Sequence, residues 1–184
     1  MKKYALRSLL AIATAAATFG ATAAQNPDAA TANDSSGNFI ITMNLAPYII
    51  VNQFDDLELT VDPANGASGK EDICVGGYGF PDYSIAFSSG NGTPEMPFAL
   101  KGATDSVPYA VQFANNITDE TGADVLDDGT LGADIRHNRN ATVSDCLTDG
   151  EENASIFIAV DADDWQNTSE QSFSDTLTVT VSAI

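Results

Sequence analysis

Phe173-Ser174-Asp175-Thr176-Leu177-Thr178-Val179-Thr180-Val181-Ser182-Ala183-Ile184 alternates apolar with small polar residues to the last position of the chain. Phe173, Leu177, Val179 and Val181 fall on one face, and Ser174, Thr176, Thr178 and Thr180 on the other. A period of two is that of a β-strand with one side against a core. A one-residue slip would exchange the two faces, so the register of such a strand is well specified. A second stretch, Asn38-Phe39-Ile40-Ile41-Thr42-Met43-Asn44-Leu45-Ala46, alternates in the same way and stops at Pro47. It sets Phe39, Ile41, Met43 and Leu45 on one face, with Ile40, Thr42, Asn44 and Ala46 on the other. Proline cannot donate to a ladder and marks where such a segment ends. A chain that stops on a core strand leaves that strand without a later partner. A detachable first strand supplies one, to its own chain or to a neighbour.

The stretches between these ends have the same character. Short strands are predicted over 38–46, 48–54, 57–62, 72–76, 82–88, 97–101, 106–114, 130–135, 154–161 and 172–183. Turn signals separate them: Asp62-Pro63-Ala64-Asn65-Gly66, Ser89-Gly90-Asn91-Gly92, Asp127-Asp128-Gly129 and Asp149-Gly150. Tyr83, Ile85 and Phe87 share a face, as do Val107, Tyr109, Val111 and Phe113, and Ile156, Ile158 and Val160. Pro108 suggests an edge or a strand start. No long window after the N-terminal segment has a helical apolar period. Regularly spaced short strands with turns between them predict an all-β sandwich.

Residues 1–24 are set apart. Lys2, Lys3 and Arg7 form a basic start, an apolar run follows from Leu9 to Phe19, and Ala21-Thr22-Ala23-Ala24 offers small-residue cleavage sites. This is the pattern of a secretory signal peptide, with an apolar run too short for a stable membrane span. Residues 25–37 contain no large apolar side chain and are expected to form a flexible leader. The rest, 47–184, is enough for one domain with a real core. Cleavage removes three of the 7 Lys and Arg and none of the 26 Asp and Glu, leaving 4 cations and a formal charge of −22. Such a chain repels nucleic acid and anionic membrane surfaces, and no segment beyond the signal is apolar enough for direct membrane insertion.

Cys74 and Cys146 are the two cysteines. An even pair in a secreted domain points to a disulfide. Free thiols with a metal or catalytic role need neighbours that are missing, for there is no Cys-x-x-Cys and only 1 His. That residue, His137, lies in the polar stretch Ile135-Arg136-His137-Asn138-Arg139 without an evident nucleophile beside it. Carboxylate pairs are too common here for any to stand out as a hydrolase pair. No enzyme activity, cofactor or resident metal is therefore expected. Asp161-Ala162-Asp163-Asp164 and Asp124-Val125-Leu126-Asp127-Asp128-Gly129 could offer oxygen ligands to calcium, but neither has the loop pattern of an EF-hand.

In order along the chain, these stretches resemble the pilin subunits of chaperone–usher fimbriae. The likeness is to the colonisation-factor (alpha-class) and the archaic, spore-coat-U-like pilins. Its residues run from Asn38 through Pro47 to Ile50, then Phe54-Asp55-Asp56-Leu57-Glu58-Leu59 and Cys74-Val75-Gly76-Gly77. Tyr83 to Gly92, Phe98-Ala99-Leu100, Val107 to Phe113 and Phe173 to Ser182 follow. Phe173 stands where a tyrosine is usual in that family, and the leader is longer than in colonisation-factor pilins.

The resemblance implies an immunoglobulin-like sandwich lacking its last strand, with an N-terminal donor strand in which Phe39, Ile41, Met43 and Leu45 are the inserted side chains. It implies a structural role in an extracellular fimbria that supports surface attachment or biofilm formation. The partners it implies are identical or related subunits, a periplasmic chaperone and an outer-membrane usher. The route it implies is secretion through the periplasm to the cell surface. Two other readings of the residues stand beside it. One makes 38–46 the first strand of an ordinary sandwich folded onto its own chain. The other is a secreted β-sandwich binding module, calcium-assisted and carbohydrate-directed.

Overall fold

A computed structural model describes residues 35–131 and 141–184. The signal segment, most of the leader and His137 lie outside the described residues. The chain divides into two units, 1–44 and 45–184. The second is an all-β sandwich with antiparallel pairing throughout.

Its strands are β1 (Tyr48–Asn52), β2 (Thr60–Asp62), β3 (Gly66–Tyr78), β4 (Tyr83–Ser89), β5 (Ala99–Lys101), β6 (Ser106–Pro108), β7 (Ala110–Ala114), β8 (Ala123–Asp124), β9 (Ala154–Val160) and β10 (Leu177–Ala183). A 3₁₀ turn spans Asp145–Leu147, and a single-turn helix, α1, spans Ala162–Trp165. The large sheet has the order β1-β3-β9-β7-β8, with β2 also on β3. β4 pairs with β10, and β5 with β6. Between these layers lies one apolar core of Ile73, Val75, Tyr83, Ile85, Phe87, Phe98, Val107, Tyr109, Val111, Phe113, Ala154, Ile156, Ile158 and Val160. The faces are those the alternation predicts.

Several elements differ from expectation. The segment predicted as 72–76 belongs to a strand of 13 residues, β3. Its first half, Ala67 to Ile73, pairs with β9, and its last five residues pair with β1. The polar run Ala67-Ser68-Gly69-Lys70-Glu71-Asp72 carries no strand signal, because its pairing comes from a partner some ninety residues away. Gly66 opens the strand at φ +103°, where a Cβ would lie 2.1 Å from the Val160 carbonyl oxygen. Where β9 stops, Asn153 extends the pairing with its side chain. Its Nδ2 donates to the Val75 carbonyl at 3.0 Å, and its Oδ1 accepts from the Val75 N–H at 3.0 Å.

The predicted strand 106–114 is two strands. β6 joins β5, β7 joins β9, and the chain crosses between them at Tyr109, whose N–H donates to the Phe98 carbonyl at 3.1 Å. Pro108, with no N–H, removes a ladder bond where the crossing occurs. The two-residue strand β8 has no periodicity to announce it. The last strand begins at Leu177, not at 172. Phe173 packs against the core from outside β10, and Ser174 exchanges backbone bonds of 2.8 and 3.0 Å with Lys101.

Cys74 and Cys146 are bonded to each other, with Cα atoms 5.2 Å apart. The bridge holds the 3₁₀ turn against β3. Gly76 makes the close approach possible, since a Cβ there would meet the Thr142 carbonyl oxygen at 2.7 Å and the Cys146 sulfur at 2.8 Å. The Gly77 N–H donates to Ala141 O at 2.9 Å, and Asn52 Nδ2 donates to Cys146 O at 2.9 Å, so this segment is tied to β1 as well.

Candidate functional site

β10 is a core strand with one neighbour. It pairs with β4 from Leu177↔Ser89 to Ala183↔Tyr83, and no other strand pairs with it among the described residues. Leu177, Val179 and Val181 pack against the core yet remain only half-buried, while Thr178, Thr180 and Ser182 are exposed. An apolar face of this kind, beside a row of backbone groups with no ladder partner, is a template for a further strand.

The far wall of this opening is β1. It comes within 8 Å of β10, Cα to Cα, but no ladder joins the two. Ile49, Ile50 and Val51 of β1 are half-buried too. A strand laid between β1 and β10 needs them about 9.5 Å apart, twice the spacing of paired strands. The gap is therefore partly closed and would have to widen to take one.

The directions of these two strands follow from the register. Tyr48 opposes Tyr78 at the end of β3, and Ala183 opposes Tyr83 at the start of β4. Residues 79–82 join Tyr78 to Tyr83, and the Ile184 N–H donates to Asp82 O at 2.8 Å. So β1 begins and β10 finishes at the same end of the sandwich. They run in opposite directions, and a strand between them is antiparallel to one and parallel to the other.

The lead-in to β10 is held by carboxylates. Asp175 accepts from the Tyr109 hydroxyl at 2.6 Å and from the Asn91 N–H at 3.0 Å. Burial, and then the Asp175 carboxylate, push the Tyr109 phenol well above its usual range. Glu170 accepts from the backbone N–H groups of Ala103, Thr104 and Asp105 at 2.6, 2.7 and 3.2 Å, and from the Thr104 hydroxyl. The Thr104 hydroxyl bond, followed by those backbone bonds, holds its carboxyl below the ordinary value. On the large sheet, burial raises the Glu71 carboxyl.

The donor candidates belong to a segment without a strand. No residue of 39–46 is in a ladder strand, and Phe39, Ile41, Met43 and Leu45 are 72, 81, 77 and 61 % exposed. Four large apolar side chains at alternate positions are thus left in water.

No three His, Cys, Asp or Glu side chains converge to hold a metal among the described residues. Asp161 to Asp164, offered above as calcium ligands, cap and form the first turn of α1. A shallow cleft of about 320 Å³ between Phe87, Phe98, Thr93, Asp127 and Asp128 has its two aromatic rings buried in the core, so it offers no stacking surface.

Sequence reasoning did not single out a further set of exposed apolar residues at the two ends of β1. Tyr48 and Tyr78 stack with ring centroids 6.0 Å apart and planes at 15°, and both are exposed. At the other end Phe54 and Leu147 are exposed. Periodicity places Tyr48 on a strand but carries no sign of whether anything covers it.

No family model matches the chain, and no curated protein matches it. A solved structure is similar at 17% identity and a TM-score of 0.45, over 74% of this chain and 42% of the matched one. It is described as a chaperone–tip adhesin complex in CFA/I fimbriae biogenesis. The chain spans less than half the length of that neighbour, and the functional reading rests on the geometry above.

Proposed function

We propose that the chain is a structural, non-enzymatic subunit of an extracellular fimbria that polymerises by donor-strand exchange. The segment 38–46 of one subunit completes the β10 edge of the next. The observation that carries this reading is the state of β10, a core strand whose apolar face is half-buried and whose second edge has no ladder partner among the described residues. The exposed alternation of Phe39, Ile41, Met43 and Leu45 supports it from the other side. Burying four such side chains is worth about 6–12 kcal/mol gross at roughly 1.5–3 each, before the cost of ordering the segment. Backbone pairing adds to this and sets the register.

Antiparallel pairing is the more stable per residue, which favours insertion antiparallel to β10. A donor in that direction leaves the acceptor at the end where β1 finishes. It emerges from its own subunit at the end where β1 begins. Head therefore meets tail, an arrangement that does not close and generates a filament. Before exchange, the open edge is an aggregation hazard and calls for a temporary cover, the place of the periplasmic chaperone that the resemblance implies. An outer-membrane usher would then order the exchange, and the fibre would reach the cell surface and support attachment.

The test is a fusion. A second copy of 38–46, joined after Ile184 by a short flexible linker, can fold back as a hairpin antiparallel to β10. The unfolding temperature should rise by several degrees, since each kcal/mol is worth roughly 2–4 °C in a domain of this size. The fused chain should also stop self-associating. No rise in unfolding temperature would mean that the sandwich is already complete.

A further inference from the structure

We infer that the two exposed apolar pairs at the ends of β1 meet between copies of this chain, with Tyr48 and Tyr78 of one subunit on Phe54 and Leu147 of the next. The inference rests on the strand-exchange reading and adds a second contact to it.

Tyr48 is two residues beyond Ala46, the last residue of the donor segment. At no more than about 3.6 Å of chain per residue, an inserted donor draws Tyr48 to the mouth of the acceptor's opening. Tyr78 comes with it, because the two rings are stacked and their residues are paired in the β1–β3 ladder. With the donor antiparallel to β10, the mouth that it leaves by is the end where β1 finishes. That end carries Phe54, two residues past Asn52. It also carries Leu147, bracketed by the bonds from Asn52 to Cys146 O and from Gln53 to Thr148 O. The two patches are separated along one subunit by the length of β1, about 17 Å for five residues. One patch cannot reach the other within a single chain, but they face each other across every head-to-tail junction.

The occupant is thus a second copy of the same chain. Two exposed tyrosines and an exposed Phe–Leu pair are apolar surfaces on a subunit of high negative charge, where contact is otherwise opposed by repulsion. The donor strand holds the copies together, and this contact limits how far they swing about residues 46–47.

The test uses full-length chains secreted separately as Tyr48→Cys and Phe54→Cys, then mixed and allowed to polymerise under mild oxidation. Disulfides should form between position 48 of one copy and position 54 of another, and Tyr78→Cys should replace Tyr48→Cys in the same role. Links between two copies of position 48 would overturn the proposal, because they mark a closed head-to-head dimer. Polymers that form without any 48–54 or 78–54 link would overturn it as well. Without cysteines, Tyr48→Ser with Tyr78→Ser should still assemble, but polymers should dissociate about tenfold faster in denaturant. An unchanged dissociation rate would count against the contact. Failure of strand exchange itself is distinguishable, because then Ile41→Asp chains would associate as the wild type does.

Discussion

β9 and β10 are both seven-residue strands that turn an apolar residue to the core at every second position, and the structure treats them differently. Between the inward residues β10 carries Thr178, Thr180 and Ser182, whereas β9 carries Ser155, Phe157 and Ala159. On β9, Ala154, Ile156, Ile158 and Val160 are buried, because β3 lies on one side and β7 on the other. On β10, Leu177, Val179 and Val181 face the same core but stay half-buried, with β4 as the one ladder neighbour among the described residues. The inward side chains of the two strands are alike in kind, so their different burial follows the number of neighbours. A strand with two neighbours belongs to the subunit, whereas a strand with one has an edge that another chain can complete once the β1 side widens.

The largest effect should come from putting a charge on each strand in turn. Ile158→Asp buries a carboxylate without a partner at a cost of several kcal/mol, a large part of the roughly 5–15 kcal/mol that holds a domain together. No soluble folded subunit should be recovered. Val179→Asp should give a folded but less stable subunit, measured by thermal unfolding, that does not polymerise. Equal loss of folded protein in both would erase the distinction between the strands.

Next in size is a charge on the donor. Ile41→Asp should leave the subunit's own unfolding temperature unchanged, since that side chain is exposed in the free chain. It should cost assembly several kcal/mol, read as absence of polymer by electron microscopy or sedimentation. Thr42→Asp, on the other face, should be much milder. Similar damage from both would show that the alternation does not set the register of exchange.

The disulfide tests whether the β1 wall is as firmly built as β9. Removing the bridge with Cys146→Ser should cost about 2–5 kcal/mol and lower the yield of folded subunit. Gly76→Ala should act in the same direction, because its Cβ has no room beside the Cys146 sulfur. Mass spectrometry of unreduced peptides should find Cys74 linked to Cys146, and free thiols in secreted material would contradict it.

The smallest effect concerns the lead-in to β10. The Glu170 carboxyl is held below its ordinary value of 4.5, so its contribution is present above that pH and lost as pH falls through the folded value. The difference in unfolding temperature between wild type and Glu170→Gln should be seen at neutral pH and vanish in acid, once the pH lies below the lowered folded value. Glu71 works in the opposite sense. Its folded value is raised by burial, so its charge opposes folding above that value, and acid relieves the strain. Glu71→Gln should therefore stabilise the chain at neutral pH and make no difference in acid.

Much of this could be seen in the residues. Strong alternation located β4, β9 and β10 and assigned their inward faces, because a half-buried strand writes its environment into every second residue. The cysteine count pointed to the pair that the structure joins. What escaped was local sequence with no period to detect. The polar half of β3 is a strand because β9 pairs with it. The crossing at Tyr109 hides inside an unbroken alternation, because both small strands face the same core. The alternation runs four residues ahead of β10 for a related reason. Phe173 is apolar and in phase, yet it packs from a segment that turns to meet Lys101.

The sequence by itself determined which residues face a core, which pair can form a disulfide, and that two alternating segments stand near the two ends of the chain. It did so because side-chain period and redox chemistry are local properties. Only the tertiary structure decided how many neighbours each strand has, that β1 begins where β10 finishes, and that Tyr48 with Tyr78 and Phe54 with Leu147 mark opposite ends of one strand. Those are relations between residues far apart in the chain. They arise from pairing and packing that no single stretch encodes.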